Sequence, residues 1–263
     1  MPAPSLRPFT LEDRSWFETR LSAHPVPGDQ LVAYSFPYHV IWRDLFTYEW
    51  MELEGHLCLV ASNKEGSFLA LPPIGPDPCG PAMTGAFAFL SERNKAQALT
   101  RVENMSESLA VCCRDLDYRV VSKGPDYLYR RDDLVGLHGD RYKSRRVDYN
   151  HCVKQARPRF RAFRSDDTEA CLALFRHWRE GVQHDGASDL AVHLATDAGH
   201  AHRQGITHAA DLGLVGRVVE VEGRIAAYTF GYPLNAQTFC VLFEIADRQV
   251  KGLGAYIFRE FCR

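Results

Sequence analysis

Three apolar runs near the C-terminus, residues 217–221, 224–231 and 238–245, constrain the fold most, because the connections between them are so short. Glu222-Gly223 separates the first two, and a segment containing Pro233-Leu234-Asn235 separates the second from the third. A parallel crossover needs a dozen or more residues, so these runs can pair only as antiparallel neighbours. Ahead of them, residues 159–164 read as a strand, and Asp166 with Glu169 three residues on forms a capping box. Cys171, Leu174, Phe175 and Trp178 follow at i, i+3, i+4 and i+7, the spacing of a helix with one apolar stripe. Trp178 therefore reads first as a core residue and second as a substrate contact. Residues 252–263 begin at a glycine and read as a closing helix.

The first half is a mixed α/β layer. Residues 57–62 and 67–71 form a hairpin about Asn63-Lys64-Glu65-Gly66, and the proline-rich stretch 72–78 ends it. Helices are expected over 82–93 and 107–116, and strands over 98–103, 119–122 and 127–130. The aromatic-rich stretch 31–51 is expected to mix a loop with a short helix.

Charge is unevenly spread. The chain carries a formal net charge of −2, yet residues 141–164 hold nine basic side chains against one acidic, Asp148. Such a segment in an otherwise acidic protein concentrates positive potential and favours a phosphate-bearing partner, or else forms a solvated charged helix. If 141–157 is helical, Tyr142, Tyr149, Cys152, Val153 and Ala156 share one stripe, and Arg145 and Arg146 fall inside it while Lys143 points elsewhere. Guanidinium groups facing inward need partners, either internal carboxylates or a bound anion.

No run approaches the 18–20 apolar residues of a membrane span. The first ten residues hold three prolines and no apolar signal core, and the eight cysteines are scattered with no Cys-x-x-Cys pair. A cytoplasmic protein with reduced thiols is expected. His193, His200, His202 and His208 match no metal-binding spacing and read as solvated.

Strand, helix, three strands in hairpin order and a glycine-started helix is the skeleton of an acetyltransferase-type fold. Gln249-Val250-Lys251-Gly252-Leu253-Gly254 resembles the Gln/Arg-x-x-Gly-x-Gly/Ala loop of GNAT-type N-acetyltransferases. That resemblance implies that Gln249, Gly252 and Gly254 hold the pyrophosphate of coenzyme A at a helix N-terminus. Glycines at a helix entrance also serve close packing, and both readings stand.

A longer resemblance covers residues 34–263. The aromatic segment 36–50, Leu71-Pro72-Pro73-Ile74-Gly75, Asp126-Tyr127-Leu128-Tyr129-Arg130, Tyr142-Lys143-Ser144-Arg145-Arg146, Phe230-Gly231-Tyr232-Pro233-Leu234-Asn235 and Phe243-Glu244-Ile245-Ala246-Asp247 carry it. Together these blocks resemble the C-terminal catalytic domain of phosphatidylglycerol lysyltransferases. Val147 stands where that family has Asn, and Ile245 where it usually has Lys. The resemblance implies two tandem acetyltransferase-like (GNAT) halves of α/β (α+β) class, each a mixed, mostly antiparallel sheet flanked by helices. The expected divisions are 1–140, a basic connecting helix 141–157, and 158–263, the last half being shortened relative to the family.

The implied reaction moves an aminoacyl group from aminoacyl-tRNA to a hydroxyl of a phosphatidylglycerol-like lipid or to another hydroxyl or amine acceptor. No cofactor is then required, and a lipid acceptor implies peripheral contact with an anionic membrane face. Such ester exchange needs positioning, a base and stabilisation of charge. Glu244 and Asp247 are the candidate carboxylates, while Lys143, Arg145, Arg146, Tyr142 and Trp178 are candidate substrate contacts. Two alternatives stay open: an acyltransferase using a coenzyme A thioester, and a non-catalytic binding module. In a further alternative Glu244 and Asp247 are simply the internal partners of Arg145 and Arg146.

Overall fold

The computed structural model describes residues 5–24, 31–95, 100–184 and 188–263. The chain divides into two compact units, Met1–Asp126 and Tyr127–Arg263, each with a four-stranded antiparallel sheet flanked by helices.

In the first unit the order along the chain is β1 (Arg7–Pro8), α1 (Arg14–Ala23), α2 (Phe36–Ile41), β2 (Thr47–Leu53), β3 (His56–Asn63), β4 (Gly66–Leu69), α3 (Pro81–Asn94) and α4 (Glu107–Asp115). The sheet runs β1-β2-β3-β4. The hairpin expected about residues 63–66 is present, with Asn63 paired to Gly66. Residues 56–61 of β3 are all buried, and α3 lays Ala86 and Leu90 on Met51, Cys58, Val60 and Leu69.

Three expectations for this half need correction. The aromatic stretch 31–51 contains the short helix α2 but also most of β2, so its second part is strand rather than loop. Of the expected strand 98–103, residues 98 and 99 lie outside the described residues, and the rest contributes only a parallel bridge from Val102 to Leu69. Segments 119–122 and 127–130 are extended and largely exposed but pair with no described strand. Alternating side chains suit a strand, yet a strand exists only where a neighbour takes up its hydrogen bonds.

The second unit comprises α5 (Arg131–Gly136), α6 (Lys143–Ala156), β5 (Arg159–Ala162), α7 (Thr168–His184), α8 (Asp189–Thr207), β6 (Val215–Val221), β7 (Arg224–Pro233), β8 (Phe239–Ala246) and α9 (Leu253–Cys262). Its sheet order is β5-β6-β7-β8, the hairpin succession expected from the short turns. Side-chain alternation divides the core between two faces. On one face Cys171, Leu174 and Phe175 of α7 and Ile206 of α8 pack on Val218, Tyr228, Phe230 and Ile245. On the other, Cys152 of α6 and Leu253, Tyr256 and Ile257 of α9 pack on Val219, Val221, Ala226 and Ala227.

The stripe expected on the basic helix is narrower than its periodicity suggested. Cys152 is fully buried and Tyr149 and Ala156 partly so, but Val153 at the stripe's edge is 41% exposed. The cap before α7 is also shifted by one residue. Asp167, not Asp166, accepts from a backbone N–H, that of Arg164 at 2.8 Å, and it binds the Arg161 guanidinium through both oxygens.

His202, expected in solvent, is a core residue. Its Nδ1 lies 2.7 Å from the Tyr228 hydroxyl, and its ring is tilted between Phe175 and Phe243. Burial lowers its pKa to about 3. In the first unit His39 is fully buried, donates from Nε2 to Ala33 O at 2.7 Å, and is lowered to about 4 by burial, which outweighs the backbone bond. Both rings fold neutral, so protons bind the unfolded chain more strongly. Stability is full above the ordinary histidine pKa of roughly 6.5 and is lost as pH falls through the folded values. Each unit is expected to lose about 1.4 kcal/mol per pH unit from its own histidine between pH 6 and 4. Denaturant titrations at stepped pH check this, and His202→Gln should flatten the slope of the second unit's transition alone.

Candidate active site

Glu244 lies one residue from the end of the apolar core of β8, and strand alternation fixes where it points. Phe243 and Ile245 join the face covered by α7 and α8, so Glu244 and Ala246 turn to the face covered by α6 and α9. Pairing with β7 sets Glu244 directly opposite Thr229, which is fully buried. Glu244 Oε2 and Thr229 Oγ1 are both buried without a hydrogen-bond partner of ordinary geometry. Burial raises the Glu244 pKa to about 8, and the Thr229 hydroxyl and the Arg145 charge oppose that rise without cancelling it. The carboxyl in turn helps to push up the Cys262 thiol on α9, for which burial is the main cause. A carboxylic acid held near neutral pKa, with an oxygen uncommitted, can both accept and return a proton.

The two arginines of the basic motif have different fates. Arg146 donates to the carbonyls of Leu137 and Gly139, the latter at 2.7 Å, and so closes the end of α5. Leu137 sits in the left-handed region at φ 50° and is buried, and its C-cap carbonyl, past the end of the helix ladder, needs such a donor. Arg145 is exposed and makes no hydrogen bond or ion pair with any described residue, although its charge reaches Glu244. Neither is paired with Glu244 or Asp247 as an internal ion pair. Lys143 is exposed at the first position of α6, and Tyr142 before it lies under the Arg141 guanidinium, 4.8 Å from ring centroid to Cζ.

Asp247 is not beside Glu244. It binds Arg224 at 2.7 Å and accepts from the Gln249 N–H at 2.9 Å, while its own N–H donates to Ala226 O. Burial pushes its pKa up, but the Gln249 N–H and Arg224 outweigh this and hold it below the usual carboxylate value. Asp247 and Gln249 border an open groove of about 730 Å³ on the α7 side, with Arg161, Asp167, His177, Glu220 and Arg224. The charges there are already met internally, Arg161 bridging Asp167 and Glu220 and Arg224 meeting Asp247. Trp178 packs against the core on that α7 face, 5.7 Å from Phe175, and so faces away from Glu244.

In the glycine loop, close helix packing alone accounts for Gly252. Gly252 has φ 82°, and a Cβ there would stand 2.1 Å from Asp148 O of α6. The backbone of α6 occupies the space that this glycine opens, so close helix packing accounts for it. A Cβ on Gly254 would meet only the Ala246 Cβ, at 4.0 Å, and Gln249 contributes its backbone N–H to Asp247 with its side chain exposed.

Thr229 is the residue that sequence reasoning missed, and its signal was a single polar side chain inside the apolar run of β7. Arg131 was missed as well. It holds the end of α9 through the Cys262 carbonyl at 2.7 Å and the Arg263 carbonyl. Its partner is more than a hundred residues away in sequence, and no local pattern marks it.

A family model described as phosphatidylglycerol lysyltransferase, C-terminal, matches residues 29–263. A crystal structure of a conserved protein of unknown function from Bacteroides thetaiotaomicron superposes with TM-score 0.79 at 22% identity, covering 98% of this chain and 86% of that one. The C-terminal domain of a protein assigned as a lysylphosphatidylglycerol synthetase from Agrobacterium fabrum superposes with TM-score 0.54 at 11% identity, covering 95% and 74%. No curated protein matches the chain significantly.

The packing role of Gly252 is open to direct test. Gly252→Ala is expected to cost roughly 2 kcal/mol or more through clash and positive φ. Gly254→Ala should be neutral or stabilising by up to about 1 kcal/mol in the first turn of a helix. Urea unfolding of the two variants measures the difference.

Proposed function

The chain belongs to the phosphatidylglycerol lysyltransferase C-terminal family, and from that premise we propose that it is an aminoacyltransferase working from its second unit. The donor is an aminoacyl ester of tRNA, and the acceptor is a hydroxyl of a phosphatidylglycerol-like lipid. The observation that carries this reading is Glu244, a buried carboxyl with its pKa raised to about 8, an oxygen without a partner, and an unpaired guanidinium, Arg145, within electrostatic reach.

The chemistry follows from the balance of the reaction. The attacking hydroxyl loses a proton, the ribose oxygen of the donor gains one, and one ester replaces another at nearly equal energy. A single group that takes the first proton and delivers the second suffices, and it works best when its pKa lies near the working pH. Glu244 has that property. Its carboxylate accepts from the acceptor hydroxyl as the oxygen attacks the ester carbonyl, and its acid form then donates to the departing ribose oxygen.

Arg145 binds phosphate, either of the tRNA 3′ end or of the lipid headgroup, with Lys143 adding long-range attraction. Arg146 contributes by holding the end of α5 in place. Asp247 orders the turn into α9 through the Gln249 N–H. The reading needs no cofactor besides the two substrates. The approach of α6 to Gly252 supports the packing reading of that glycine. Docking to an anionic bilayer, if the acceptor is lipid, is peripheral and weakens with salt, and no helix of the described residues is long and apolar enough to cross a membrane.

In a transfer assay with aminoacyl-tRNA and phosphatidylglycerol vesicles, Glu244→Gln should lower kcat by a factor of about 10² to 10⁴. The wild-type kcat/KM should rise with pH and level off above the Glu244 pKa of about 8, because the carboxylate must be present for attack. Arg145→Ala should raise KM roughly tenfold. It should also move that rising limb to higher pH, since removing a positive neighbour makes the carboxyl harder to ionise. Transfer from acetyl-CoA with none from aminoacyl-tRNA would overturn the assignment.

A further inference from the structure

The first unit holds a chemical group that the proposed transfer reaction does not use. Cys79 ends the proline-rich segment before α3, and Cys113 lies in the last turns of α4. Both are buried, and their sulfurs stand 3.4 Å apart, a distance reached across 34 residues of chain. Cys79 also points at the Leu109 carbonyl, 3.8 Å away. The neighbouring Cys112 on α4 is exposed. The Cys112 thiol also lies near enough to Cys79 to affect it, and among the described residues no group of three or more metal-ligating side chains is placed to hold an ion.

We propose that Cys79 and Cys113 form a reversible disulfide, entered through the exposed thiol of Cys112, when the chain meets a low-molecular-weight disulfide such as oxidised glutathione. The non-bonded sulfurs need to close by only about 1.4 Å to reach disulfide length, within reach of small side-chain rotations. The pair is well placed but slow to react directly. Burial raises both thiols, and for Cys79 the neighbouring Cys112 and Cys113 thiols add to the rise, so thiolate is scarce at either sulfur. Cys112 meets solvent and supplies the first nucleophile.

The exchange balances in three steps. The Cys112 thiolate attacks one sulfur of oxidised glutathione, the glutathione S–S bond breaks, and one glutathione thiolate leaves. Cys79, losing its proton, attacks the Cys112 sulfur and expels the second glutathione, giving a Cys79–Cys112 bond. Cys113, losing its proton, attacks Cys79 and returns Cys112 as a thiolate. Cys79 and Cys113 together lose two electrons and two protons, and one oxidised glutathione becomes two reduced ones. The product ties the segment leading into α3 to α4, a cross-link that restricts the unfolded chain and raises the stability of the first unit.

The test uses the full chain in mixtures of reduced and oxidised glutathione, followed by alkylation, digestion and mass mapping. The expected result is a peptide pair joined through Cys79 and Cys113, lost on addition of dithiothreitol, with the first unit melting several degrees higher in the oxidised form. Cys112→Ser, a change at an exposed position, should leave the same cross-link but slow its formation by roughly tenfold or more. Cys113→Ala should abolish it. Oxidation that stops at a glutathione adduct on Cys112, with Cys79 and Cys113 still alkylated once the chain is unfolded, would overturn the proposal on wild-type protein alone. A Cys112→Ser rate equal to wild type would overturn the entry role.

Discussion

Pairing of β8 with β7 is the constraint from which the candidate site follows. Side chains of a strand alternate, so once Phe243 and Ile245 are drawn to the face covered by α7 and α8, Glu244 has no choice but the opposite face. The same register puts Thr229 across from it. A shift of one residue would send the two aromatic and aliphatic side chains toward α6 and α9 and the carboxyl into the cluster around Tyr228 and His202. The apolar partition therefore holds the acid in place, and the acid's raised pKa is a consequence of the core that holds it rather than of a dedicated partner.

Helix packing sets the other side. The Gly252 backbone approaches Asp148 of α6 as closely as a missing side chain allows, and this brings α9 against α6. Tyr149 stacks on Tyr256, donates to Glu260 at 2.7 Å, and lies under Arg259, so these two helices are tied by aromatic and charged contacts as well. Arg259 and Arg131 reach between α5 and α9 to carbonyls. Within this layer most guanidinium groups serve as donors to helix ends. Arg145 stands apart because, among the described residues, no carbonyl or carboxylate accepts from it.

The two ends of the β8–α9 connection are chemically separate. Glu244 is largely desolvated and has one oxygen, Oε2, without a partner, whereas three residues later Asp247 is saturated by Arg224 and a backbone N–H. Their closeness in sequence suggested a shared site. A strand's alternation followed by a turn carries them to opposite faces of one sheet, and the groove beside Asp247 is lined by charges that already have partners.

Much of the second unit was legible in the sequence because its elements are set by local periodicity. Short turns dictate antiparallel pairing, the Cys171, Leu174, Phe175 and Trp178 spacing dictates a core-facing helix, and a glycine marks the start of α9. The basic helix and the family resemblance were legible for the same reason, since both are carried by contiguous residues. What only the tertiary structure decided are the contacts between residues distant in sequence. Examples are the Thr229 and Glu244 pair, the Arg131 hold on the end of α9, the burial of His202 on Tyr228, and the space at Gly252 filled by α6. The extended segments at 119–122 and 127–130 make the same point in reverse, since their pattern suits a strand and no described strand meets them. Periodicity depends on a residue's immediate neighbours, whereas a buried charge, an unpaired guanidinium or a close helix approach depends on which distant backbone arrives beside it.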